Sequence, residues 1–339
     1  MSAIQLADND FGFGNQEIHL LASIMYWSLR NEAVSSTSYS RMRKHFMNQD
    51  SKAREQQAYR DAKYAWADEW YSLTSKLLEF GEVVPSERLQ SRLRELNLTE
   101  TKKAALCVEL ATFTGYYQIN KDSKEEESLS FSDEDRKLYL QFCAYTMNEN
   151  LKTVELAWQE FNRCIEKIVK ANTGPDLTLV WVGLSAAVVL VLAPYLAGAI
   201  GGFMGLSGAA ATSAGLALLG GGSLAAGGLG MSGGYVVLMA GGAIIGYGSG
   251  STQHQKKLRE SSKEELLLNC GKLFATSKVF SLYGDDRIGI CSKALLIQSD
   301  LESDADAAFL QGDSENGKKI ESKALIMRTF RKLLRGDLK

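Results

Sequence analysis

Proline is almost missing from this sequence: Pro85, Pro175 and Pro194 are the only three in 339 residues. Proline removes a backbone donor and clashes with the preceding helical turn, so its scarcity leaves long stretches free to run as helix. Cysteine is sparse too. Cys107, Cys143, Cys164, Cys270 and Cys291 are odd in number and lack CxxC spacing, which argues against a disulfide framework or a zinc site and fits reduced thiols in a cytosolic compartment. Neither sign of charge dominates: 38 Lys and Arg against 40 Asp and Glu leave a net charge of −2, too small to make nucleic acid the expected partner. The N-terminal MSAIQLADNDFGFG has no basic region and no apolar run. No secretory signal is expected there, and residues 1–172 are expected to face the cytoplasm.

The sharpest absence is local. Between Asp176 and Lys256 there is no Asp, Glu, Lys or Arg, and residues 173–253 hold 21 of the 31 glycines, against ten elsewhere. Composition therefore divides the chain into a cytoplasmic helical domain (1–172), a Gly-rich region (173–253) and a cytoplasmic helical tail (254–339). The run LTLVWVGLSAAVVLVLAPYLAGAIGGF exceeds the ~20 apolar residues that cross a bilayer core as a helix. Membrane helices tolerate proline, so Pro194 does not exclude a first span over about 177–203. A second span is expected over about 229–247, which contains YVVLMAGGAII. Lys167 and Lys170 precede the region and Lys256, Lys257 and Arg259 follow it. Basic residues beside a span favour the cytoplasmic side, so both ends are expected to point inward, with two crossings.

Glycine spacing inside this region has a mechanical meaning. Gly198 with Gly202, Gly201 with Gly205, and the series Gly242, Gly246 and Gly250 are four apart. On a helix each set shares one face, where missing side chains admit another backbone, the small-residue packing of a glycine zipper. A lipid bilayer and further copies of the chain are the expected partners, with a cytosolic protein as another.

The flanks carry the 3.6-residue periodicity of an all-α fold. Helices are expected at Gln16–Asn31, Ser51–Phe80 and Ser86–Leu96, and from a Thr99 cap to Thr112. Tyr59, Ala62, Trp66, Trp70, Leu73, Leu77 and Phe80 form one stripe. Ser132, followed by three acidic residues, is expected to open one long helix whose positions Leu151, Val154, Trp158, Phe161, Ile165 and Ile168 make a seam, read as a face of a helical core. The tail reads as a helix near Glu264–Phe280, a turn at Gly284-Asp285-Asp286, an acidic stretch Asp300–Asp306, and a last helix over about Lys318–Arg335. In that last helix Arg328, Arg331, Lys332 and Arg335 accompany Ile326, Phe330, Leu333 and Leu334. A cationic amphipathic helix can lie on anionic lipid or on a partner. It is therefore expected to tune binding rather than to hold up the fold.

Chemistry finds little support. Gly230-Met231-Ser232-Gly233-Gly234 fits GxSxG, but a nucleophile elbow needs a strand-turn-helix context followed by an acid and a His. Only His254 lies downstream, and so Gly-rich a segment produces the match by composition. His19 and His45 read as ordinary surface or core residues, and no P-loop or Rossmann fingerprint follows a strand. No enzyme, cofactor or metal is expected.

The stretch GLALLGGGSLAAGGLGMSGGYVVLMAGGAIIG resembles the apolar segment of proteins in which a helical module and a Gly-rich membrane region precede an α/β-hydrolase domain. It is also similar to the hydrophobic hairpins of colicin-like and apolipoprotein-L-like pore formers. The likeness implies a membrane-inserting helical protein. Residues 254–339 are expected to be too few for a hydrolase domain, so that family's catalytic residues are not carried over. The resulting expectation is a non-enzymatic, pore-forming or membrane-perturbing effector, with a membrane-tethered scaffold and a Ser232-dependent hydrolase as the competing classes.

Overall fold

The computed structural model describes residues 15–35, 49–78, 80–113, 115–116, 129, 131–171, 263–280 and 286–336. All regular structure in them is helical, as the periodicity predicts, and no strand occurs among the described residues. The helices are α1 (Asn15–Ser35), α2 (Gln49–Leu78), α3 (Leu89–Glu95), α4 (Glu100–Thr112), α5 (Asp133–Met147), α6 (Leu151–Ala171), α7 (Lys263–Val279), α8 (Asp286–Leu310) and α9 (Ser314–Arg335), with a 3-10 turn at Ser86–Arg88.

Local signals place the helix ends. Thr99 accepts from the Lys102 amide at the start of α4. Ser132 and Asp135 form a reciprocal capping box at the start of α5, satisfying amides that have no partner within the helix. Pro85 precedes the 3-10 turn, and Gly336 closes α9 in the left-handed conformation. The long helix expected from Ser132 onward is in fact two. Asn148 turns left-handed at φ 54°, and the Glu149 amide donates back to the Ala144 carbonyl at 2.9 Å. The Asn150 side chain then accepts from the Lys152 amide at 2.9 Å. Asparagine tolerates the left-handed region and competes with the helix for backbone donors, so Asn148 and Asn150 end one helix and begin the next. The acidic stretch Asp300–Asp306 is likewise helical. It lies within α8, where Leu301 and Ala305 are buried between its acids.

The core is continuous across both flanks of the Gly-rich region. α1 packs on α2 and α5, and α4 on α6 and α5; α7 packs most extensively on α6, then on α9 and α4. One hydrophobic cluster contains Ile18, Leu21 and Met25 of α1, Trp66 and Trp70 of α2, Phe161 and Ile165 of α6, Leu273 and Phe274 of α7, and Phe330 of α9. The stripes read from periodicity at Trp66 and Trp70, and at Val154, Phe161, Ile165 and Ile168, are faces of this core. Leu73 and Leu77 lie in α2, but their side chains are outside the described residues.

α7, the first described helix after the Gly-rich region, is among the most enclosed: every residue from Asn269 to Ser277 is buried. Gly271 permits this. A Cβ there would stand 2.8 Å from Phe161 and Ile165, so only glycine lets α7 approach α6 so closely.

The last helix requires a correction. Ile326, Phe330, Leu333 and Leu334, expected to contact a membrane or partner, are 2%, 0%, 3% and 2% exposed. They pack toward α7, α8 and α6, so the apolar stripe of α9 is part of the fold. Among the described residues no helix is long and apolar enough to cross a membrane. The spans expected at 177–203 and 229–247 lie outside the described residues.

Truncation of a large buried aromatic costs about 3–5 kcal/mol, so Phe330→Ala should lower the denaturant midpoint of the whole body. Ending the chain after Gly317 should abolish its cooperative melt as followed by circular dichroism. Unchanged melting of the truncated chain would show that α9 is dispensable.

Candidate functional site

The expected residues fall into two groups. Gly198, Gly202, Gly242, Gly246 and Gly250 lie outside the described residues, as do Ser232, His45 and His254. Arg328, Arg331, Lys332 and Arg335 stand on α9, around the rim of its buried stripe. Arg328 donates to Glu302 of α8 at 2.5 Å and Arg331 to the Gln298 side-chain oxygen at 2.5 Å. Arg328 and Arg331 are thus engaged by α8. Glu302 is partly exposed, and its hydrogen bonds from Gln298 and Arg328 hold its carboxyl below the usual range. Such solvated pairs contribute little stability. Lys332 and Arg335 are exposed.

His19 is a clasp between α1 and the connection that follows α2. Its Nε2 lies 3.0 Å from the Tyr71 hydroxyl and 3.0 Å from the Glu82 carbonyl, and its ring stacks on Phe80 at 5.1 Å. Trp27 donates to the Val84 carbonyl at 2.9 Å beside it. Burial, with a smaller push from Arg92 and a backbone hydrogen bond opposing, keeps the imidazole below its ordinary value.

Three buried polar sites were not anticipated. In the first, Lys63 of α2 donates to Glu32 of α1 at 2.5 Å and to Asp135 of α5 at 3.2 Å. The side chains of all three have zero exposure. The Tyr116 hydroxyl donates to the other Glu32 oxygen, and the Lys63 ammonium sits 4.5 Å from the Tyr116 ring and 5.2 Å from the Tyr59 ring. Burial pushes the Glu32 carboxyl up to about 7, with Lys63 opposing and Asp135 adding to the rise. Tyr116 itself is a non-glycine residue at φ 64°, an uncommon conformation that brings its hydroxyl to Glu32.

The second site is Arg136. Its guanidinium lies over the ring of Trp158 at 4.1 Å and over that of Phe131 at 4.6 Å, and it donates to the Phe113 carbonyl at 3.3 Å. A cation at the carbonyl end of α4 is favourable, although burial lowers this group to about 9. The third site joins the flanks. Lys272 of α7 donates to Glu109 of α4 at 2.6 Å, with the side chains 7% and 2% exposed.

A sequence signal existed for two residues of the first site. Glu32 continues the α1 stripe through Leu21, Met25 and Leu29 by helical steps, and Lys63 falls between Tyr59 and Trp66 on the α2 stripe. A charge at a core position implies a buried partner, but periodicity does not say which.

Burial raises the thiols of Cys107, Cys143, Cys164 and Cys270, Cys143 to about 12, which makes them poor nucleophiles. No cluster of three or more metal-ligating side chains occurs among the described residues. The chain matches no protein-family model, no curated protein and no solved structure.

Breaking a buried ion pair from one side costs about 3–5 kcal/mol, whereas replacing both partners with packed apolar groups is often neutral. Lys272→Met alone should therefore destabilise the body strongly in urea unfolding, and adding Glu109→Leu should recover most of the loss. Additive losses would show that the pair does not act as a unit.

Proposed function

We propose that the chain is a membrane-anchored, non-enzymatic effector whose Gly-rich segment oligomerises in a bilayer and perturbs or permeabilises it. The observation that carries this reading is the 79-residue stretch without a charged side chain, residues 177–255, joined at both ends to one helical body. An anchor needs a single good span of ~20 residues. A segment several times that length, rich in four-residue glycine spacings, has surfaces for close helix packing as well. The packing of α6 on α7 supports the two-crossing topology independently of the flanking basic residues. If both ends of the segment belong to one body, both lie on one side of any membrane it enters, and the crossings are even in number. By the positive-inside rule that side is the cytoplasm.

Purified protein added to dye-loaded anionic liposomes should release the dye and should resist extraction by carbonate. Gly246→Leu should reduce cross-linked oligomers and leakage while leaving insertion intact, with Gly228→Leu as control. Resistance to carbonate without leakage would favour a structural tether, and extraction by carbonate would overturn the membrane assignment. Cys143 is fully buried and is a poor topology probe. Asn150→Cys and Ser303→Cys, at exposed positions, should instead show the same protection in sealed vesicles.

A further inference from the structure

Single apolar side chains on a protein surface are ordinary, but one pair here is set apart by its place in the fold. The end of α8 carries Phe309, 38% exposed, and Leu310, 89% exposed, the most exposed large apolar side chain among the described residues. Phe309 lies against the backbone of α9 at Gly317, where a Cβ would stand 2.8 Å from its ring. Gly312 reverses the chain between the two helices at φ 82°. The hairpin thus fixes Phe309 at its tip and leaves Leu310 uncovered.

Chain geometry decides which end of the body this tip occupies. α8 and α9 are antiparallel: Glu302 meets Arg328, Gln298 meets Arg331 and Phe309 meets Gly317, so the start of α8 at Asp286 lies beyond the last turn of α9. α9 meets α7 where the Cys270 thiol donates to the Met327 sulfur at 3.8 Å. If α7 and α9 ran in opposite senses, Phe280 would stand level with the first turn of α9 and more than about 35 Å from Asp286, at ~1.5 Å per helical residue. The chain from Phe280 to Asp286 reaches at most ~22 Å when fully extended. α7 and α9 therefore run in the same sense. From the contact of Cys270 with Met327, α7 begins roughly 10 Å away and α9 roughly 20 Å away in that same direction. The hairpin tip overhangs Lys263 by up to about 10 Å, on the side from which the chain returns after the charge-free run ending at Gln255.

We propose that Phe309 and Leu310 seat the helical body on the bilayer that the Gly-rich segment enters, as a shallow apolar contact with its headgroup layer. The proposal rests on the membrane reading and adds to it which end of the body meets the lipid. Exposed Asp306, Asp313 and Glu315 stand beside the pair, so neutral headgroups suit this contact better than anionic ones. The same helix supplies a control. Leu295 and Leu296 are 45% and 54% exposed but lie toward the last turn of α9, roughly 20 Å along α8 from Leu310. Apolar exposure alone would make the two pairs alike, whereas placement makes only the tip a lipid contact.

The test compares the full chain bearing Leu310→Cys with the full chain bearing Leu296→Cys, both in a Cys291→Ser background that leaves only the four buried thiols. Each is labelled with an environment-sensitive fluorophore and reconstituted into phosphatidylcholine vesicles with or without a nitroxide-bearing lipid. The probe at 310 should shift to the blue and lose most of its emission to the nitroxide, while the probe at 296 should do neither. Carbonate-resistant protein with equal, weak quenching at both positions would overturn the contact and leave the membrane reading standing. Extraction of the labelled chains by carbonate would overturn both. A blue shift at 310 without nitroxide quenching, disappearing as protein is diluted in lipid, would assign the tip to a second copy of the chain and also overturn the proposal.

Discussion

The packing of α6 against α7 is the constraint on which the rest of the structure depends. These helices are neighbours in space but are separated in sequence by residues 172–262. Bringing together segments so far apart in sequence costs entropy, though the cost grows only slowly with separation. It is offset here by the burial of every residue from Asn269 to Ser277, a close approach at Gly271 and a desolvated Lys272–Glu109 pair. α9 packs beside α7, with Met327 and Phe330 in the shared core, and α8 packs on α9. The tail is therefore held by the same core as α1 to α6. Whatever the Gly-rich region does, it starts and finishes on one body.

Much of the helical layout was legible because periodicity and capping are local. Thr99, Ser132 and Pro85 mark helix starts through groups within a turn of themselves, and the Trp66–Trp70 stripe needs only a helix to become a face. The structure departs from the periodicity where a second local signal competes with it or where the partner is distant. Asn148 and Asn150 lie within one periodic run, yet both asparagines favour the backbone geometry that ends or begins a helix. The stripe of α9 was assigned to a membrane or a partner because a helix with basic residues beside apolar ones looks the same from sequence whether its apolar side meets lipid or α7. The buried sites were missed for the second reason. Lys272 meets Glu109 across 163 residues, and Lys63 meets Asp135 across 72; no spacing rule spans such distances.

The polar groups in this core connect. Asp135 belongs both to the capping box of α5 and to the Glu32 and Lys63 cluster, while its neighbour Arg136 holds the carbonyl end of α4. Glu109, two residues before Ala111 on that same helix, pairs with α7. Charge inside the body is thus arranged as a succession of contacts from α1 through α5 and α4 to the helix that follows the Gly-rich region. Buried networks of this kind are costly when half-satisfied and specific when complete, which makes their integrity a condition for the two flanks to remain one unit.

That unity can be measured directly. A protease site placed at Gly221, inside the Gly-rich region, would allow the full chain in detergent to be cut between α6 and α7. If the flanks form one core, the two fragments should co-elute by size exclusion after cleavage and separate only in denaturant, with the Lys272→Met change weakening their association. Fragments that part immediately on cleavage under native conditions would contradict a shared core and return the tail to an independent unit.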